Sequence, residues 1–357
     1  MRSPPQPARA DLAAAAPELR AALLGWYDGA RRRLPWRALP GERAEPWRVL
    51  VSELMLQQTT VATVTGRFLP FLARFPTVHA LAQAPLDEVL HAWQGLGYYH
   101  RARALHACAR AVVERHGGRL PLDVEPLAAL PGLGPYTAAA VAAIAGGRPV
   151  VPVDANVERV LGRMLALDRP AAQARPQLRQ AATALAAPER AADLAQAVME
   201  LGALVCTSRR PRCLACPWQS WCRASATGEP ERYPPPARRK ERVVRFATAC
   251  ALQRRDGAVL FRRRPDTGLL AGLIELPTGA WSADAATATA PDGLPAAGLT
   301  PLPGSVRHLF THIDLTVTVL RGTAQSGEGL WVPPARFDSL ALPTLTRKLL
   351  RHAGLAG

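Results

Sequence analysis

Apolar residues recur at three- and four-residue intervals across residues 19–223, with short Gly/Pro breaks, and this period predicts a succession of helices. Residues 47–60 and 136–145 are two of them. The pattern stops at residues 227–242, where Gly228, Pro230, Pro234, Pro235 and Pro236 lead into Arg238, Arg239 and Lys240. That is the composition of a linker. Beyond it the period changes: residues 243–252, 258–262 and 314–320 read as strands, the last through its β-branched alternation. Residues 281–303, rich in Ala, Thr, Pro and Gly, read as a loose insertion, and residues 1–18 as a disordered tail. The expected organisation is a tail (1–18), an all-helical domain (19–226), a linker (227–242) and a smaller α+β domain (243–357).

Composition narrows the class. With 357 residues the chain is long enough for two domains, and 48% hydrophobic against 20% charged residues is a globular balance. No apolar run reaches the length of a membrane span, and the N-terminus lacks the apolar stretch of a secretory signal, so a cytoplasmic protein is expected. The formal charge of +16, from 44 basic and 28 acidic residues, points to a polyanionic partner.

Three constellations carry candidate chemistry. Cys206, Cys213, Cys216 and Cys222 are separated by six, two and five residues, and four thiolates on one compact loop can enclose either zinc or a cubane cluster. Arg209, Arg210 and Arg212 lie inside that loop, suited either to solvent or to DNA phosphates. Leu130-Pro131-Gly132-Leu133-Gly134-Pro135-Tyr136 joins two helical segments, and its glycines permit a tight turn with exposed N–H groups at a helix start. Glu53 stands in the apolar segment around Ser52 to Thr59, where burial would raise its pKa, although a solvent-facing position has the same periodicity. Asp154 precedes Ala155-Asn156-Val157 in the position of an N-cap.

Together these segments resemble the MutY-like branch of the endonuclease III glycosylase superfamily. The cysteine spacing is similar to its 4Fe–4S loop, and the Gly132/Gly134 turn to its helix-hairpin-helix. Ser52-Glu53-Leu54-Met55-Leu56-Gln57-Gln58-Thr59 carries the branch's Ser-Glu-x-Met-Leu-Gln-Gln-Thr pattern. The implied fold is an all-α helix-hairpin-helix glycosylase domain with a 4Fe–4S loop, followed by a smaller α+β Nudix-like domain. The implied activity is removal of adenine opposite 8-oxoguanine or guanine from double-stranded DNA, by a nucleoid-associated monomer. The resemblance implies that Glu53 protonates adenine N7 and later activates water, while Asp154 stabilises the sugar cation, with Asn156 beside it and Tyr136 hydrogen-bonded to Asp154. It also implies an adenine pocket of Arg32, Leu34, Trp36, Arg37, Leu56 and Glu200, and Gln57 and Tyr98 as residues inserted into the base stack.

An endonuclease III-like lyase needs a Lys two residues beyond the hairpin, where Tyr136 stands; the two lysines, Lys240 and Lys348, lie elsewhere. In the C-terminal part, Gly268 to Pro277 resembles a Nudix fold, yet no acidic helix follows Gly279 to hold metal ions. That domain is expected to bind rather than hydrolyse. Phe310-Thr311-His312 resembles the branch's Phe-Ser-His lesion-recognition loop, with Thr311 replacing Ser and keeping its hydroxyl.

Overall fold

The structure is a computed structural model and describes residues 12–237, 241–294 and 297–355. These form two compact units, one from residues 12–82 and 107–237, the other from residues 83–106, 241–294 and 297–355. Among the described residues twelve α-helices precede the sheet: α1 (Leu12–Ala30), α2 (Pro46–Leu56), α3 (Val61–Arg74), α4 (Val78–Gln83), α5 (Leu86–Ala92), α6 (His100–His116), α7 (Val124–Ala128), α8 (Pro135–Ile144), α9 (Ala155–Met164), α10 (Arg175–Leu185), α11 (Ala191–Leu204) and α12 (Arg223–Ala226). No described helix is long and apolar enough to cross a membrane.

In the first unit, Leu19, Leu23 and Tyr27 of α1 pack with Val157 and Leu161 of α9, Leu178 of α10, and Leu194 and Leu201 of α11. Two helices are apolar nearly all round and lie inside the unit. In α2 every residue from Val49 to Met55 is buried, and in α8 every residue from Thr137 to Ile144. A helix with no polar face has no surface to offer water. Helices α9 and α11 approach closely at Gly202, where a Cβ would come within 2.6 Å of the Asn156 Cβ.

Several sequence boundaries move. Helix α1 starts at Leu12, so residues 12–18 are helical rather than tail, because Ala16 and Leu19 turn the same buried face inward. The predicted helix 47–60 ends at Leu56: Gln58 takes a positive φ of 55°, and the Thr60 hydroxyl caps α3 by accepting from Thr63 N at 3.3 Å. The first half of the predicted linker is packed rather than loose. Tyr233 O accepts from Arg163 Nε at 3.1 Å, and Pro234 lies against Gly162. Arg238, Arg239 and Lys240, and residues 1–11, lie outside the described residues.

The second unit is built on a seven-stranded sheet: β1 (Val243–Gln253), β2 (Val259–Arg263), β3 (Ile274–Glu275), β4 (Ala297–Pro301), β5 (Val306–Leu309), β6 (Ile313–Thr323) and β7 (Leu330–Val332). The strand order is β3-β2-β1-β6-β4, with β5 also on β6 and β7 on β2. Strands β1 and β6 run parallel from Val243↔Ile313 to Gln253↔Thr323. Alternation along β1 sends Ala247, Ala249 and Ala251 into one apolar cluster and Cys250 and Leu252 into another. Helix α13 (Thr344–His352) covers the first cluster with Leu345 and Leu349. The segment read as a loose insertion is partly sheet: Ser282 bridges to Phe246 and β4 pairs with β6. Between β3 and β4 the described residues hold one helical turn, Ala285–Thr287, and no longer helix. Residues 83–106 belong to this unit, held by Arg263 to Asp87 at 2.9 and 2.8 Å and by Arg103 Nη2 to Ala271 O at 3.1 Å.

Adding a methyl at Gly202 forces α9 and α11 apart. Gly202→Ala should destabilise the protein by about 1–3 kcal/mol in urea unfolding, as overpacked cores do.

Candidate active site

Helix α2 begins where Glu45 accepts hydrogen bonds from Trp47 N (2.9 Å) and Arg48 N (2.8 Å), with Pro46 in the first turn. Two turns later it delivers Glu53, only 6% exposed. Burial is the main force on this carboxyl, and the nearby Asp154 charge adds to it. A hydrogen bond from Tyr136 and the Arg37 charge oppose them, and the net result is a pKa raised from 4.5 to about 7. Tyr136, in the first turn of α8, donates to Glu53 Oε2 at 2.8 Å. The sequence expectation gave this hydroxyl to Asp154. In the structure Tyr136 donates to Glu53 instead, and both Asp154 oxygens accept from its own helix. Burial and the neighbouring Glu53 and Asp154 charges push the phenol pKa well up, so it remains a donor.

Asp154 caps α9. Its Oδ1 accepts from Val157 N at 2.8 Å and its Oδ2 from Asn156 Nδ2 at 2.8 Å. Asn156 is oriented in turn by Arg159, whose Nη2 donates to Asn156 Oδ1 at 2.9 Å and to Gly202 O at 2.6 Å. The same guanidinium donates from Nε to Cys206 O at 2.7 Å. Arg159 thus ties the Asp154 helix to the start of the cysteine loop. Sequence reading missed it, and an Arg one turn after an N-cap gives no signal of its own.

A third carboxylate of the site is in the reverse condition to Glu53. Glu200 is 1% exposed, and burial alone would raise its pKa. Arg32 donates to it from Nε (2.7 Å), Nη2 (2.8 Å) and its backbone N (3.1 Å), and Arg37 Nη2 adds a bond at 2.8 Å. These cations outweigh burial and hold Glu200 at about 2. One cleft of about 790 Å³ is lined by Glu53, Tyr136, Asp154 and Asn156 together with Arg32, Leu34, Trp36, Arg37, Leu56 and Glu200. It also reaches Gln57, Gly132 and Gly134.

The hairpin glycines differ. Gly132 has φ 75° and needs its missing side chain, whereas Gly134, the N-cap of α8, has an ordinary φ of −77°. A Cβ at Gly134 would meet nothing within 4 Å, so the turn is open on that side. Gln57 Nε2 donates to Thr137 Oγ1 at 3.1 Å, which sets the α2 end against α8; Thr137 was not anticipated. Tyr98, Phe310, Thr311 and His312 are not in this cleft but in the second unit. Tyr98 is exposed on a left-handed backbone (φ 45°), with its hydroxyl 3.1 Å from Thr311 Oγ1.

Cys206, Cys213, Cys216 and Cys222 wall one small cavity. Four thiols on one loop around one cavity are the donor set of a cubane iron–sulfur cluster. Arg163, 3% exposed, places Nη1 3.4 Å from Cys206 Sγ and donates to Thr207 O (2.6 Å) and Ser208 O (3.0 Å). A buried cation beside the thiols complements the negative charge of a thiolate-bound cluster. The loop is stitched to α1 by Trp218, whose Nε1 donates to Leu19 O at 2.8 Å.

Residues 51–185 match the HhH-GPD superfamily of base excision DNA repair proteins, 206–222 the iron–sulfur binding domain of endonuclease III, and 248–352 the NUDIX domain. The human adenine DNA glycosylase is 36% identical over 402 residues, covering 93% of this chain and 73% of its own.

The chain belongs to the adenine DNA glycosylase family.

It is a base-excision DNA glycosylase, a hydrolase of N-glycosyl bonds, and its cofactor is a 4Fe–4S cluster. The adenine DNA glycosylase of Mycolicibacterium smegmatis is 47% identical over 210 residues, 58% of this chain and 70% of that one. A thermostable thymine-DNA glycosylase structure aligns with a TM-score of 0.53 at 27% identity, covering 60% of this chain and 99% of the other. In this glycosylase the four thiols of the loop are the residues that would hold the cluster, which would act as a structural clamp.

Two measurements follow. Cys213→Ser should lower the iron bound per chain and the folded yield, read by iron analysis and visible absorbance; unchanged iron would exclude Cys213 as a ligand. Glu53 carries a stability signature as well. Its folded pKa of about 7 exceeds the ordinary 4.5, so folding becomes less favourable as pH rises across that interval. Glu53→Gln removes this penalty. It should be more stable than the parent by up to about 3 kcal/mol at pH 8, the gain vanishing towards pH 4. A gain independent of pH in denaturant titrations would contradict the burial of an ionising Glu53.

Proposed function

We propose that this glycosylase removes adenine mispaired with 8-oxoguanine or guanine in double-stranded DNA, without cutting the strand. The observation that carries the chemistry is the pair of unlike carboxyls in one cleft: Glu53, buried and held near neutral pKa, and Asp154, hydrogen-bonded by its helix. Cleaving a base from deoxyribose requires a proton for the leaving base and negative charge for the sugar cation. Glu53 protonates adenine N7, Tyr136 steadies that carboxyl, and Asp154 stabilises the oxocarbenium species. After the base departs, Glu53 accepts a proton from the attacking water. The Arg32–Glu200–Arg37 network forms the polar wall of the base pocket, with Leu34, Trp36 and Leu56 as its apolar lining.

Extrusion of the base opens a gap in the stack, which Gln57 and Tyr98 fill. The Gly132–Gly134 turn offers its N–H groups to a phosphate. Because position 136 is Tyr rather than Lys, no amine is available there for a Schiff base. The enzyme acts as a monomer. Adenine is a normal base, so information about its partner must come from the other strand, and Phe310, Thr311 and His312 read it.

A duplex with A opposite 8-oxoguanine should lose adenine, with strand breakage appearing only after alkali; breakage without alkali would defeat the monofunctional reading. Glu53→Gln should abolish excision while largely retaining duplex binding, and Asp154→Asn should be comparably inactive. Since the acid works protonated, the single-turnover rate should fall as pH rises through about 7. A flat profile from pH 6 to 8.5 would argue against Glu53 as the acid.

The paired substitution Thr311→Ala and His312→Ala should shrink the ratio of single-turnover rates on A opposite 8-oxoguanine and A opposite G by roughly tenfold or more. An unchanged ratio would remove the loop from lesion recognition.

A further inference from the structure

Thr311 and His312 form the exposed tip of the β5–β6 hairpin, where Phe310 N donates to Ile313 O at 2.8 Å, Val243 N to His312 O at 2.9 Å and Arg242 Nε to Phe310 O at 2.9 Å, and the Thr311 hydroxyl lies 3.1 Å from that of Tyr98. A short exposed turn still moves more readily than the strands behind it. Here the residue before the tip is fixed from the side. The Phe310 ring stacks on Trp281 with centroids 5.7 Å apart and an interplanar angle of 27°, and His308 meets it edge-on at 4.5 Å. Trp281 lies in the segment for which the sequence suggested no role.

Trp281 is itself anchored. The next residue, Ser282, exchanges both backbone hydrogen bonds with Phe246 of β1, at 2.9 and 2.8 Å. The Arg264 guanidinium lies 5.3 Å from the indole centroid. Arg264 is held by Glu275 at 2.9 and 2.7 Å and by Leu269 O at 3.2 Å. The indole Nε1 is buried without a hydrogen-bond partner among the described residues. An unpaired buried N–H is unfavourable, so the ring is retained for its stacking face and not for its polar atom.

We propose that Trp281 is a positioning residue for base discrimination: supported by Arg264, it clamps Phe310 and so fixes the Thr311–His312 tip against the base opposite the adenine. This rests on the tip being the lesion reader. The clamp differs from ordinary core packing in its reach, because its effect falls on a short exposed turn and on a ratio of rates rather than on global stability.

The test uses the full-length glycosylase with Trp281→Ala, Trp281→Phe and the double Thr311→Ala/His312→Ala variant. Amide exchange of residues 309–313 is measured without DNA, and single-turnover rates are measured on A opposite 8-oxoguanine and A opposite G. Trp281→Ala should speed exchange at the tip and lower the ratio of the two rates by about threefold to tenfold, the scale of one aromatic pair. Trp281→Phe should restore both, having a stacking face and no N–H to satisfy. If Trp281→Ala does not yield folded protein, Trp281→Leu, which keeps apolar volume without an aromatic face, is read in the same way. The clamp is overturned if Trp281→Ala keeps the parent ratio while the double variant loses it, or if the ratio falls without faster exchange. Should the double variant also keep the ratio, the lesion-reader assignment itself fails, and the clamp with it.

Discussion

A carboxyl group enclosed by apolar helices cannot ionise as readily as one in water, and the candidate active site is arranged around that constraint at Glu53. Helices α2 and α8, apolar nearly all round, leave it largely out of water, while Tyr136 supplies one hydrogen bond. The desolvation is strong enough to leave a pKa near 7 despite the Tyr136 hydrogen bond and the Arg37 charge. A solvent-facing Glu at the same helix position would be fully ionised and useless as an acid at neutral pH.

The same cleft treats Glu200 in the opposite way, and the contrast explains its division of labour. Both side chains are buried, but Glu200 has two guanidiniums in direct contact and remains an anion. It can hold Arg32 and Arg37 in place and cannot donate a proton. Environment, not residue type, separates these two glutamates. Asp154 is half-buried and ordered by Val157 N and Asn156. Arg159 then connects Asn156 to the Cys206 carbonyl, so a disturbed iron–sulfur loop reaches the Asp154 helix through two hydrogen bonds.

The second unit places its functional residues at edges and tips. Its sheet carries an apolar cluster on each face, and Thr311 and His312 at the β5–β6 turn stay exposed. The Nudix resemblance carries over as scaffold: the strands persist, and the described residues after β3 form bridges and a short helical turn where a hydrolase would need an acidic helix.

The sequence by itself determined the residue identities and their local settings: the four cysteine spacings, the hairpin glycines, Glu53 in an apolar helix, Asp154 as an N-cap, and a helical part followed by a sheet. These are properties of short segments, and periodicity and turn chemistry read short segments well. Long-range partners were decided only in the tertiary structure. Tyr136 meets Glu53 across 83 residues, Arg32 meets Glu200 across 168, and Trp281 stacks directly on Phe310. The helix end at Leu56 and the start at Leu12 also moved, because burial and capping set termini that periodicity leaves open. Which of two well-placed carboxylates receives a phenol hydrogen bond depends on helix packing, and no window of sequence contains that packing.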